Sequence, residues 1–327
     1  MISPRISIIV PLYNKVNEVE RAIDSIFAQT IQDFELIIVD GGSTDGSLGV
    51  IKRYESDTRY HLIHQISKGL PAGRNEGIAA ASTDLIAFLD ADDEWLPTYI
   101  EQILELYAKY PSAGLYATAY IPTYGNQIQK LPLCEIPEKP WNGILNSYFH
   151  STALAMQPPF SPCSVTIPKS TYDRVGLFNP SLRIGEDTEM WGRIALCLPI
   201  AYSSTEGAKY HWISNNKMTD IRTPIDHHPF YKYIISLPEQ EEIINNTKGL
   251  QLYLEMEELN MAYINLIAGN KQYVKENLKF VQSKYFILRK LLFEMLLYLP
   301  SSIVKNMPLI KQKTLDKIRI WISAQHL

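Results

Sequence analysis

An α/β fold, with a doubly wound and mostly parallel sheet followed by a helical C-terminal appendage, is the architecture this sequence predicts. Three observations predict it. Short apolar runs of strand length alternate with amphipathic stretches through the first half of the chain, the pattern of βαβ units. Two of those runs stop abruptly in polar turns, Asp40-Gly41-Gly42-Ser43 and Asp90-Ala91-Asp92-Asp93. From about Pro229 onward the pattern changes to successive helices.

Each element has its own signal. Residues 6–10 are a β-branched run stopped by Pro11, and residues 34–39 are a second such run ending at Asp40. Between them Val19, Ala22, Ile23, Ile26 and Phe27 recur at helical spacing over residues 18–29. Gly41 to Gly46 supply turn residues and N-cap candidates for a further helix. A weaker strand follows at 60–66, a short helix at 72–81 and an apolar strand at 85–89. Residues 97–109 repeat Ile100, Ile103, Leu104 and Tyr107 on one helical face, and 114–121 form another strand. Residues 122–162 are proline-rich and irregular, and a loop of that length in a compact domain is functional or disordered. A strand at 164–167, a helix at 169–175 and a helix opened by Gly185-Glu186-Asp187 complete the first domain, expected over 1–220. Within the expected helical region, 221–327, residues 250–281 form a hairpin turning at Gly269-Asn270.

Composition sets limits. With 46% hydrophobic and 20% charged residues in 327, the chain is an ordinary globular protein. Its three widely separated cysteines have no metal-ligand spacing and indicate a reducing compartment. The apolar run at 6–10 is too short for a signal peptide, and 288–299 is too short and too charged to span a bilayer. A cytoplasmic protein is expected. Eleven of the 31 Lys and Arg but three of the 35 Asp and Glu lie from Lys271 onward, so that stretch carries +8 and the rest −12. The acidic body offers no nucleic-acid footprint. The basic stretch, with apolar residues interleaved, is either a solvated helical bundle or a peripheral contact with the inner face of an anionic membrane.

The acidic turns carry the chemistry. Three carboxylates within four residues at 90–93 repel one another unless something positive neutralises them. They emerge where ligands bind in open α/β sheets, just past the carboxyl end of a strand. Oxygen ligands of this kind suit Mn²⁺ or Mg²⁺ shared with a substrate's phosphates. An acidic turn that caps the next helix is the plainer alternative.

Five segments in order resemble the family 2 glycosyltransferases of GT-A fold: Ile8-Ile9-Val10-Pro11-Leu12-Tyr13-Asn14, Val39-Asp40-Gly41-Gly42-Ser43-Thr44-Asp45-Gly46-Ser47, Arg74-Asn75-Glu76-Gly77, Phe88-Leu89-Asp90-Ala91-Asp92-Asp93, and the acceptor-side pieces Gly176-Leu177-Phe178 and Gly185-Glu186-Asp187 through Arg193. The resemblance covers roughly the first 210 residues and leaves the tail unmatched. It implies a nucleotide-sugar donor, with a UDP-sugar the expected one, and a glycan or lipid-linked glycan acceptor. It also implies that Asp92 ligates the cation, that Asp90 contacts ribose or the metal shell, and that Asp93 can substitute for either. Asp40 would accept a bond from uracil, Pro11 and Tyr13 would pack on the base, and Arg74 would lie near the uracil and phosphates. Gly41 stands where the family more often has a second Asp, which thins base recognition. His211 resembles a histidine that approaches the metal or diphosphate.

The other half of the reaction deprotonates the acceptor hydroxyl, which needs a carboxylate in hydrogen-bond reach. Glu186-Asp187 resembles the family's acidic pair, so Asp187 is the expected base, Glu186 its positioning neighbour, and inversion at the anomeric carbon the implied outcome. These acids equally suit a helix first turn. No Gln-x-x-Arg-Trp motif occurs, which points away from a processive synthase. Two rival readings are a nucleotidyltransferase, which would show a glycine-rich phosphate loop after the first strand, and a nucleotide-sugar or glycan-binding protein without catalysis.

Overall fold

Apolar segments that are buried on both faces make the centre of the sheet, because helices cover it on either side. In the computed structural model, which describes residues 4–125, 127–212 and 224–304, these are β1 (Ile6–Leu12), β2 (Phe34–Asp40), β3 (Tyr60–His64) and β4 (Leu85–Phe88). They pair in parallel, in the order β3-β2-β1-β4. Between them run α1 (Val19–Phe27), with Val19, Ala22, Ile23 and Ile26 inward, α2 (Ser47–Ile51) and α3 (Leu70–Ala80). Gly77 lets α3 lie close on β1: a Cβ there would stand 2.6 Å from Ile9 Cγ2.

After β4 come β5 (Glu94–Trp95), α4 (Tyr99–Lys109), β6 (Leu115–Tyr124), β7 (Gln127–Ile128) and β8 (Asn142–Ile144). Next come α5 (Tyr148–Ala155), β9 (Val165–Pro168), α6 (Lys169–Val175), α7 (Glu186–Cys197) and β10 (Ile200–His211). The sheet continues β4-β9-β6-β10-β5, with β9 antiparallel to β4 and β6 and with β10 parallel to β6. The expected mostly parallel sheet is therefore parallel in its first half and mixed in its second. No alternation in the sequence predicts β10. Its Ser203-Ser204-Thr205-Glu206-Gly207 core reads as a loop, and the strand accommodates it with register shifts between Ser203 and Ala208.

These residues form one unit, spanning Met1–Leu131, Glu135–Asn146 and Pro159–Lys217. A second unit takes Pro132–Cys134, Ser147–Pro158 and Met218–Leu327, the first two of which fall inside the span 1–220 expected for the first domain. The proline-rich region thus hides α5, an apolar helix without a polar face, which periodicity does not distinguish from a loop or core segment. Its Phe149 stacks on Phe230 and meets Tyr253 edge-on.

The remaining helices are α8 (Pro229–Ile235), α9 (Gln240–Asn246), α10 (Leu250–Ala268), α11 (Lys271–Phe280), α12 (Ile287–Leu296) and α13 (Ser301–Val304). Gly269 ends α10 in the left-handed region and Asn270 caps α11, the expected hairpin turn. Glu258, fully buried on α10, accepts from the His228 and Asn277 N–H groups and pairs with the His227 ring. That places both histidines in a structural network. Residues 305–327, with five of the eleven Lys and Arg of the basic stretch, lie outside the described residues.

Candidate active site

The turn that leaves β4 is closed by the Asp93 N–H donating to Asp90 O at 2.9 Å. It sends its three carboxylates in different directions. Asp92 pairs with Lys15 Nζ at 2.9 Å, and Arg21 donates to its backbone carbonyl. Asp90 Oδ1 takes Arg74 Nη2 at 3.1 Å. Asp93 turns inward, where it accepts the His211 N–H at 2.8 Å and lies beside the Cys163 thiol. Burial, and then the charges of Asp92 and Asp90, push the Asp93 carboxyl well above the usual carboxylate range. Asp93 is thus a buried brace and not the spare ligand that the triplet suggested. Trp95 is likewise core: its indole donates to Cys163 O at 2.7 Å and stacks on Tyr99.

Arg74 joins this turn to the acids that open α7. It is 2% exposed, and its Nη1 stands 3.2 Å from Glu186 Oε1 on the first turn of α7. Burial lowers the guanidinium pKa, but Asp90, Glu186 and Asp187 raise it by more. Phe178 lies 5.4 Å beneath the same group as a cation–π partner. The neighbouring side chains build this arrangement. Asn75 exchanges two hydrogen bonds with the Phe178 backbone, at 2.8 and 3.1 Å. Glu76 accepts the N–H groups of Ile66 and Ser67. Arg193 pairs with Glu189 at 2.8 Å and donates to the carbonyls of Val175, Gly176 and Leu177, fixing the loop that carries Phe178.

Glu186 and Asp187 follow Gly185, whose φ of 75° starts α7 from the left-handed region. Burial first, then the neighbouring Asp187 charge, holds the Glu186 carboxyl up at about 7. Burial also raises Asp187, against the lowering effect of Arg74. Asp187 lines a small cavity with Arg74, Phe88, Phe178 and Trp191. The pair is therefore set to carry a proton near neutrality.

At the other side of the β1–β2 crevice, Asp40 is buried and accepts the N–H groups of Gly42 and Ser43 at 3.1 Å each. Tyr13 is 58% exposed beside it, and Pro11 is half-buried. Gln65 fills the space between two glycines: a Cβ on Gly41 would lie 3.1 Å from its Oε1, and one on Gly73 would lie 2.9 Å away. His211 Nδ1 is 3.0 Å from Thr123 Oγ1 and its Nε2 is 3.8 Å from Glu94. His211 and Lys209 hold the Glu94 carboxyl down at about 2 despite partial burial. Of the residues the sequence singles out, the fold brings Asp90, Arg74, Glu186 and Asp187 together, with Phe178 of the Gly176-Leu177-Phe178 piece beneath Arg74. The sequence does not single out Lys15 or Gln65, whose contacts show only once their neighbours are placed. Among the described residues no three His, Cys, Asp or Glu side chains gather as a ready metal cluster. Mn²⁺ and Mg²⁺ need only one or two protein carboxylates when a diphosphate supplies the rest.

Residues 7–165 match the family model described as Glycosyl transferase family 2. An uncharacterized glycosyltransferase of Nostoc sp. is 41% identical over 113 residues, 34% of this chain and 35% of that one. The chain thus spans about a third of the length of that curated relative. Among solved structures, Staphylococcus aureus TarS 1–349 superposes with a TM-score of 0.59 at 14% identity, over 98% of this chain and 91% of that one. The mannosyltransferase PcManGT of Pyrobaculum calidifontis, in complex with GDP-Man and Mn²⁺, gives 0.60 at 15% identity over 99% and 86%. At such identities the likeness is one of fold.

Proposed function

The chain belongs, through residues 7–165, to glycosyl transferase family 2, and from that premise we propose that it transfers a sugar from a UDP-sugar to a hydroxyl of a glycan or lipid-linked glycan, inverting the anomeric carbon. The observation that carries this reading is Arg74, one guanidinium shared by Asp90 on the donor side and Glu186 on the acceptor side. TarS has been solved with UDP-GlcNAc, which supports a UDP-sugar donor here.

In this reading uracil lies against Pro11 and Tyr13, and Asp40, at the end of β2, reads its edge. A divalent cation fits the remaining donor set. The hard carboxylate oxygens of Asp90 and Asp92 crowd at the turn, each held by one cationic side chain, Arg74 or Lys15. Asp92 would hold the ion, with Asp90 as second contact. When bound, the ion stabilises the negative charge developing on the leaving diphosphate. Lys15 balances Asp92 until the donor arrives. On the acceptor side Asp187 takes the hydroxyl proton as that oxygen attacks the anomeric carbon from the face opposite the diphosphate, whose bond to carbon breaks. Glu186, anchored by Arg74, positions the acceptor. Arg74 keeps both acid groups at a fixed separation and limits their repulsion.

No helix among the described residues is long and apolar enough to cross a membrane. The basic excess after Lys271 supports peripheral contact with an anionic membrane, where a lipid-linked acceptor would be met. The function is tested by incubating the protein with a panel of nucleotide sugars and Mn²⁺ and following release of nucleoside diphosphate. Release from one UDP-sugar above the others is expected. Release from none, or pyrophosphate in place of the diphosphate, would overturn the reading.

A further inference from the structure

α12 buries Phe293 and Leu296 against its own unit and shows solvent an apolar opposite face. Ile287, Leu288, Leu291 and Met295 are 42%, 63%, 47% and 63% exposed, and Tyr298 just past the helix end is 89% exposed. At 100° per residue these five positions fall within an arc of about 100°. The one acid of α12, Glu294, is half-buried at the edge of this arc. Single exposed apolar residues are ordinary, but a continuous stripe along one helix marks a surface that something covers.

The surrounding charge says what covers it. Lys279 and Lys284 are exposed on the segments that lead into α12. Lys290 ties the helix to Val281 O at 2.7 Å, and Arg289 lies over the ring of Phe293 on the same helix. Between Lys271 and Val304 six Lys and Arg stand against two acids, Glu276 and Glu294. An apolar stripe with a basic surround is the composition of a helix lying in the headgroup region of an anionic bilayer, and α12 at ten residues is far too short to span one.

We propose that the outward face of α12, centred on Leu288, Leu291 and Met295, inserts into the surface of an anionic bilayer. The inference rests on the peripheral contact proposed above and locates it. Attraction of the lysines brings the surface near, and burial of the apolar stripe holds it there, so binding requires both charge and insertion.

The test is co-sedimentation of the full-length protein with phosphatidylcholine vesicles, with and without phosphatidylserine. Wild type is expected to sediment with the phosphatidylserine vesicles, and Leu288→Glu/Leu291→Glu to lose at least tenfold in affinity while its donor hydrolysis is unchanged. Lys279→Glu/Lys284→Glu is expected to weaken binding at low salt. If the leucine variant binds like wild type while added salt releases both, the stripe is not the inserting surface, although the electrostatic contact survives. If wild type binds no vesicle, both the contact and its location fall. If the leucine variant instead changes the mass of the protein in solution, the stripe joins copies of the chain and the bilayer assignment is wrong.

Discussion

Arg74 reaches Glu186 across 112 residues of sequence, with Nη1 3.2 Å from Oε1 in a buried setting. This ion pair ties α3 to the first turn of α7, and the other arm of the same guanidinium ties both to the turn after β4. The turn after β4 and the start of α7 are thereby one electrostatic assembly, and its members should fail together.

Arg74→Ala leaves three carboxylates facing one another without their shared cation. Removing one partner of a buried pair costs roughly 3–5 kcal/mol, which denaturant unfolding would measure. Arg74→Lys retains the charge but not the fork, so it should recover stability in part and transfer rate less. Wild-type stability in the alanine variant would show that the acids do not depend on this residue.

The Glu186 carboxyl, held at about 7 chiefly by burial, sets a pH dependence. Below that value the acid pair keeps a proton and the base is blocked, so log kcat/KM should rise with pH and level off above 7. Asp187→Asn removes a like charge beside Glu186, and the Glu186 titration followed by NMR should then move down. The stability sign is opposite to that of an ordinary carboxylate. The folded state holds a proton that the unfolded chain loses above its ordinary value near 4.5. The contribution of this group is therefore present at low pH and is lost as pH rises through 7.

Asp187→Asn should leave UDP affinity within twofold or so of wild type while transfer falls by about 10²–10⁴, the usual worth of a general base. Calorimetry with UDP and a transfer assay on the same preparation separate the two effects. Retained turnover would move the base elsewhere.

The glycine at 41 and the glutamine at 65 should be coupled. Gly41→Asp pushes a Cβ toward Gln65 Oε1 and disturbs the bonds by which Gln65 Nε2 holds Ser67 O and Gly69 O. Gln65→Ala in the same chain should relieve part of the loss. A coupling of about 0.5–3 kcal/mol in a double-mutant cycle is expected for contacting residues, and strict additivity would contradict the packing described.

How much of this was legible in the sequence follows from where each signal lies. Local periodicity revealed α1, α4, α10 and the central strands, because those elements bury one face or both. β10 was invisible because its Ser-Thr-Glu-Gly run is held by tertiary pairing with β6 and not by propensity. α5 was hidden because a helix buried all round has no stripe. At the site, Asp90 and Glu186 could be singled out as acids at an element boundary. Their union through Arg74, the inward turn of Asp93 and the partnership of Lys15 with Asp92 depend on contacts between distant segments. No local pattern encodes them.

The central claim is that the acids after β4 clamp a cation onto the donor's diphosphate, and UDP affinity measured with and without Mn²⁺ tests it most directly. Wild type should bind UDP more tightly when Mn²⁺ is present, and Asp92→Asn should show the same weak affinity in both conditions. If Asp92→Asn gains as much from Mn²⁺ as wild type does, the cation is not held there and the account of the donor site is wrong.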